Sequence, residues 1–151
     1  MWPASMTRGR PAGVEPTLAL GGPFRSLTTP AQTPPLTDAS QPDFAGFRSR
    51  SADALVIGGI YPAANGRYEV RFRLYDVPKQ ASLGGLSFTI TKDQARATAH
   101  RIADFVYEKL TGDKGIFSTQ IAYVEKRGPQ SRLMVADADG VIAGGVNNSD
   151  F

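Results

Sequence analysis

Between Thr91 and Gly112 the chain carries both the start and the stop signal of a single helix, and no other segment restricts the fold as much. Thr91-Lys92-Asp93-Gln94 fits a capping box, the threonine hydroxyl accepting from the third amide while the glutamine reaches back to the cap. Ala95, Ala99, Ile102, Ala103, Val106 and Leu110 follow at helical spacing and form an apolar stripe that needs a sheet to lie on. Lys109 stands in the last turn, where a cation suits the helix dipole, and Gly112 is placed to take a left-handed conformation just past the end. The spacing therefore predicts a helix over Lys92–Thr111 with one face against strands.

The strands lie mainly upstream. ALVIGGIY, Ala54 to Tyr61, is a continuous apolar run of strand length, which predicts a strand buried on both faces and central in its sheet. Asn65-Gly66 then accepts positive φ at both centres of a type I′ turn, a hairpin signal between two strand-like runs. The second arm alternates: Tyr68, Val70, Phe72 and Leu74 on one face, Arg67, Glu69, Arg71, Arg73 and Tyr75 on the other. After a loop over Pro78 to Ser82, Leu86, Phe88 and Ile90 share a face behind a Gly84-Gly85 pair placed to bulge. These runs make a three-stranded antiparallel meander.

Downstream of the helix, IFSTQIAYV predicts a fourth strand, EKRGPQS a polar hairpin loop and RLMVADADG a fifth strand closed by a turn at Asp137, Asp139 and Gly140. The last stretch, VIAGGVNNSDF, shows no pattern. At the other end, prolines and glycines recur from residue 1 to 41 and no apolar periodicity survives more than a few residues. The division expected is a disordered leader over 1–41, one α/β domain over 42–140 and an unstructured tail over 141–151. A short helix is expected near Pro42–Arg50, with Phe44 and Phe47 on one side. The fold class is α+β: a mixed, mostly antiparallel sheet of about five strands with one long helix on one face.

Composition removes several kinds of function. With 151 residues the chain has room for one domain with a core. It has no cysteine, which excludes disulfides, thiolate metal sites and cysteine nucleophiles. Seventeen basic residues against 14 acidic ones, a net charge of +3, is a mild excess that suits solvated surface better than nucleic-acid binding. No window approaches the ~18 apolar residues of a membrane span, and prolines at 3, 11, 16 and 23 interrupt any signal-peptide core.

Candidate sites are few. His100 is the single histidine and falls beside the Ala99/Ala103 stripe, as a packed histidine does rather than a general base. Asp137-Ala138-Asp139-Gly140 is similar to the start of a calcium loop, but the third acid is missing and the twelfth position is Asn148, so a plain turn is expected and no metal ligand is assigned. Asp104 and Glu108 lie four apart on the helix, with Arg101 and Lys109 near them, as on a solvated face. Gly58-Gly59 and Gly84-Gly85 do not open helices and so are no phosphate cradle. The sequon at Asn147 carries no weight in a polar tail. One interaction surface remains, the strand face of Arg67, Arg71 and Arg73 with Tyr75, where basic residues and an aromatic interleave. No catalytic residue and no cofactor are expected.

ADALVIGGI, NGRYEVRFRLYDV, IADFVYEKLTGDKGIFSTQIAYVEKRG and RLMVADADG together resemble the N-terminal α/β domain of the TolB family, over about residues 24–140. The block YEKLTG-x-KG-x-F-x-T-x-IAYV carries most of that likeness. The resemblance implies a non-enzymatic, protein-binding part of the periplasmic Tol-Pal system, which serves protein import, outer-membrane integrity and envelope constriction at cell division. Family members carry a signal peptide, a tail that engages TolA, this domain and a β-propeller that binds the lipoprotein Pal. Here the residues before Phe24 and after Gly140 depart from that pattern, so the expectation is a truncated or frameshifted piece without tail or propeller. Such a piece would be marginal in stability, with a strand edge uncovered. The alternative from the residues alone is a small basic nucleic-acid-binding α/β module; a small hydrolase would need a base within reach of a nucleophile, which the lone His100 does not supply.

Overall fold

The computed structural model describes residues 24–27 and 36–147. In chain order they form α1 (Phe44–Ser49), β1 (Ala54–Pro62), β2 (Tyr68–Asp76), β3 (Ala81–Ile90), a 3-10 turn (Lys92–Gln94) running into α2 (Ala95–Thr111), then β4 (Gln120–Arg127), β5 (Gln130–Asp137) and β6 (Ile142–Asn147). Among them are two compact units, one holding Arg25–Thr98 and the other holding Phe24 and the chain from Ala99 onward, so that α2 passes from the first into the second.

The first unit is the expected meander, with all strands antiparallel in the order β1-β2-β3. Its first turn closes as the dipeptide dictates: Asn65 and Gly66 have φ of 58° and 67°, and the Arg67 N–H donates to the Ala64 carbonyl. Gly84 takes a φ of 124° where the β2–β3 register shifts by one residue, the bulge announced by its glycine pair. Cross-strand pairing puts Val56, Gly58 and Ile60 on one face with Val70, Phe72 and Leu74, and Leu55, Ile57, Gly59 and Tyr61 on the other with Tyr75, Arg73, Arg71 and Glu69. Val70, Phe72, Leu74, Val77, Ile57, Ile90 and Phe47 are buried, each large side chain contributing ~1.5–3 kcal/mol relative to exposure.

Two expectations for this unit need amending. β1 is an edge strand rather than the central one, because β2 is the arm that pairs on both sides; the buried run Ile57-Gly58-Gly59 shows that both faces of β1 are nonetheless screened at its middle. The short helix begins at Phe44, not Pro42, since Asp43 is its cap and accepts from the Gly46 N–H at 3.1 Å. The part of the expected leader that falls on residues 1–23 and 28–35 lies outside the described residues. Within the described part, Thr37–Ser40 form a turn in which the Ser40 N–H donates to the Thr37 carbonyl.

The helix starts and stops where its punctuation places it. Gln94 accepts the Thr91 N–H at 3.0 Å within a capping box, and Gly112, at φ 81°, donates to the Glu108 carbonyl at 2.9 Å. Ala99, Ile102, Ala103 and Val106 are the buried stripe.

In the second unit the strands form a separate antiparallel sheet, order β4-β5-β6. The α+β class stands, while the single sheet of about five strands is two sheets of three, with no parallel pair among the described strands. β4 begins at Gln120, later than the apolar Ile116 and Phe117 suggest, because residues 116–119 make a turn, the Thr119 N–H donating to the Ile116 carbonyl, and the Phe117 ring packs on Tyr107 of α2 while Ile116 stays exposed. Its hairpin to β5 turns through Gly128 and Pro129 alone, with Gly128 at φ 61°. β6 occupies the stretch expected to be an unstructured tail. Its glycines, Gly144 and Gly145, give no alternation to read, and its pairing with β5 organises it instead.

Candidate functional site

The arginine-bearing face of the meander divides in two. Toward the start of β1, Ile57 and Tyr75 are buried, and the Phe44 ring of α1 meets Tyr75 edge-on at 5.7 Å. Tyr75 is therefore part of the core and is withdrawn from any surface. Toward the Asn65-Gly66 turn the same face is open, with Arg67 and Arg71 exposed on it, and Arg73, opposite Ile57, is exposed at the border of the two halves.

Around Arg71 the open half is organised. Its guanidinium bonds the Glu69 carboxylate at 2.6 Å, and that carboxylate also accepts from the Ser87 hydroxyl at 2.9 Å on the neighbouring strand. The Arg71 bond, with the Ser87 bond, holds the Glu69 carboxyl below the ordinary carboxylate range, and Glu69 in turn raises Arg71 above its usual value. The guanidinium lies over the Tyr61 ring, 5.4 Å from its centroid. Gly59 makes room for that ring, since a Cβ there would stand 2.6 Å from the Tyr61 oxygen. The Tyr61 hydroxyl donates to Asp38, which raises its pKa. Tyr61 and Asp38 were not among the sequence candidates; the glycine two residues before a strand tyrosine, on the same face, is the signal that points to the folded-back ring.

Arg73 and Arg67 have no such cluster described around them. Gly85 is the cross-strand partner of Arg73, and a Cβ there would come within 3.1 Å of its side-chain stem. The surface is thus a small basic strip of three arginines, one of them already engaged by an acid. It lacks the stacking aromatic that Tyr75 would supply, so the nucleic-acid alternative gains no support.

In the second unit the helix-to-strand junction explains the segment Gly112 to Phe117. The Asp104 carboxylate accepts the Phe117 N–H at 2.6 Å, the Ser118 N–H at 3.0 Å and the Ser118 hydroxyl. Gly115 is buried against it, and a Cβ there would lie 2.5 Å from the Asp104 Cα. Tyr107 completes the junction, with the rings of Phe24 and Phe117 each edge-on at 5.7 Å. Asp104 is thus a structural anchor, where the sequence suggests a solvated face shared with Glu108; Glu108 itself is exposed. The partners are 13 and 14 residues away, too far for helical spacing to reveal.

His100 is 4% exposed, as its place beside the apolar stripe predicts, and its Nε2 lies 3.3 Å from Asp139 Oδ2. The turn expected at Asp137 to Gly140 is present: the Gly140 N–H donates to the Asp137 carbonyl at 2.9 Å, with Gly140 at φ 83°. The sequence gives no sign that this turn and His100 meet.

With this geometry, comparison with known proteins is specific. A family model described as the TolB amino-terminal domain matches residues 14–83. The Tol-Pal system protein TolB of Aromatoleum aromaticum is 54% identical over 139 residues, 92% of this chain and 32% of that protein. That of Polaromonas naphthalenivorans is 56% identical over 101 residues, 67% of this chain and 24% of its own length. Among solved structures, TolB from Acinetobacter baumannii superposes with a TM-score of 0.72 at 29% identity, covering 89% of this chain and 35% of that one. The chain therefore spans a quarter to a third of the length of these relatives. At 54% identity over 92% of its length this chain belongs to the TolB family, its residues 14–83 matching the family's amino-terminal domain.

Proposed function

We propose that this chain acts as a non-enzymatic protein-interaction domain of the periplasmic Tol-Pal system, the assembly in which full-length family members meet TolA and Pal, with residues 42–140 as the working domain. The observation that carries the reading is the 54% identity to a Tol-Pal system protein over 92% of the chain. The strip of Arg67, Arg71 and Arg73 is the contact surface proposed within it, because it is exposed and charged, with Arg71 and Arg73 on β2 and Arg67 in the turn just before it. An acidic patch on a partner would complement it, and such contacts set on-rate and orientation more than raw affinity.

Titration calorimetry of the chain against the purified periplasmic domains of TolA and of Pal tests this. Binding to either that is weakened about tenfold by Arg67→Glu with Arg73→Glu at low salt, and less so at high salt where the charges are screened, supports the surface. Binding indifferent to the double variant moves the contact elsewhere, and absence of binding to both domains at millimolar concentration overturns the reading.

A further inference from the structure

His100, Asp137 and Asp139 each place one ligand atom within 4.8 Å of the other two. His100 comes from the middle of α2, Asp137 ends β5, and Asp139 sits in the following turn. All three belong to the same compact unit. The imidazole is buried and presents Nε2 toward the turn, while the two carboxylates are only partly exposed.

The turn is held by its own bonds. The Asp137 N–H donates to the Val141 carbonyl at 2.9 Å, the Ala138 N–H to the Thr119 carbonyl at 3.2 Å, and the Val141 N–H to Asp139 Oδ1 at 3.2 Å. Gln120 Nε2 donates to Asp137 Oδ1 at 3.1 Å, orienting that carboxylate. Carboxylates fixed this way, two residues apart and each with an oxygen near one imidazole nitrogen, bring three donor atoms of metal-ligating type together at a site partly removed from water.

We propose that His100 Nε2 and the carboxylates of Asp137 and Asp139 bind a divalent transition-metal ion, with Zn²⁺ as the probe of choice. One nitrogen and two carboxylate oxygens suit such an ion, at about 2.0–2.2 Å from each donor, and water fills the remaining position. Tetrahedral ligation at those lengths puts donor atoms about 3.3–3.5 Å apart, so the three groups need to close by about an ångström. The outer bond from Gln120 is the kind of second contact that orients a ligating carboxylate. Bound metal ties α2 to the β5–β6 turn, joining residues 37 and 39 positions apart in the chain. The inference is independent of the Tol-Pal reading.

The composition makes the test clean. The chain has no cysteine and a single histidine, so any imidazole-dependent binding in the untagged protein reports on this site. After dialysis against chelator, titration with Zn²⁺ near pH 7.5 is expected to show one ion per chain and a rise in Tm that grows with free metal. Affinity is expected to fall as pH is lowered, because protons compete for the same donors. His100→Gln and Asp139→Asn are each expected to weaken binding about tenfold or more. Should the buried substitution fail to fold, Co²⁺ added to the unaltered chain gives a second readout: intense visible bands of four-coordinate ligation support the site. Only the weak spectrum of hydrated Co²⁺, no heat with millimolar Zn²⁺, or equal affinity in Asp139→Asn overturns the proposal.

Discussion

Asp104 shows how much of a fold can rest on one carboxylate. It accepts two amides and a hydroxyl from the loop that follows α2, bonds that are stronger than neutral ones because the acceptor is charged. Asp104→Ala leaves those donors to be satisfied by water in a partly buried place and is expected to cost about 2–3 kcal/mol in urea unfolding. A loss below about 0.5 kcal/mol would show that the junction is held by its aromatic rings instead. Gly115 serves the same contact, since its missing side chain lets the loop approach the helix backbone. Nothing local marks Asp104 for this role. In the sequence it is one acid among the polar positions of a helix, and only the path of the chain 13 residues later gives it partners.

At the scale of elements, what could be read was what depends on neighbours in sequence. Asn65-Gly66 fixed the first hairpin because both residues tolerate positive φ, and the Gly84-Gly85 pair marked the bulge for the same reason. Thr91 to Gln94 and Gly112 bounded the long helix through bonds within its own first and last turns. The edge position of β1, the pairing of glycine-rich β6 and the meeting of His100 with Asp139 all depend on distant segments, so periodicity is silent about them. Gly112 offers a direct check on the local rule. An added Cβ meets nothing within 4 Å there, so Gly112→Ala isolates backbone strain and is expected to cost about 1 kcal/mol in thermal unfolding. Gly112→Asn is expected to cost less, as asparagine accepts the left-handed region more readily. Equal stability of alanine and glycine at this position would mean that the helix end relaxes.

At the scale of the molecule, the two sheets differ in how they meet water. The meander buries Val70, Phe72 and Leu74, whereas β4 leaves Ile121 58%, Tyr123 40% and Val124 64% exposed. β4 is also an edge strand, and an apolar edge is a template for unwanted pairing. Val124→Lys is expected to reduce light scattering at high protein concentration while moving the unfolding free energy by less than about 0.5 kcal/mol. A large loss of stability would show that Val124 is covered in solution.

In each sheet every strand pairs only with the strand before or after it in sequence, and the first sheet is finished at Ile90, thirty residues before the second begins at Gln120. Among the described residues no early strand has to wait, unpaired, for a partner made much later. A chain that emerges from a ribosome, or from any narrow passage, amino end first can close its ladders in the order in which they appear, and the short loops between them make each closure fast. The order of synthesis and the order of assembly coincide.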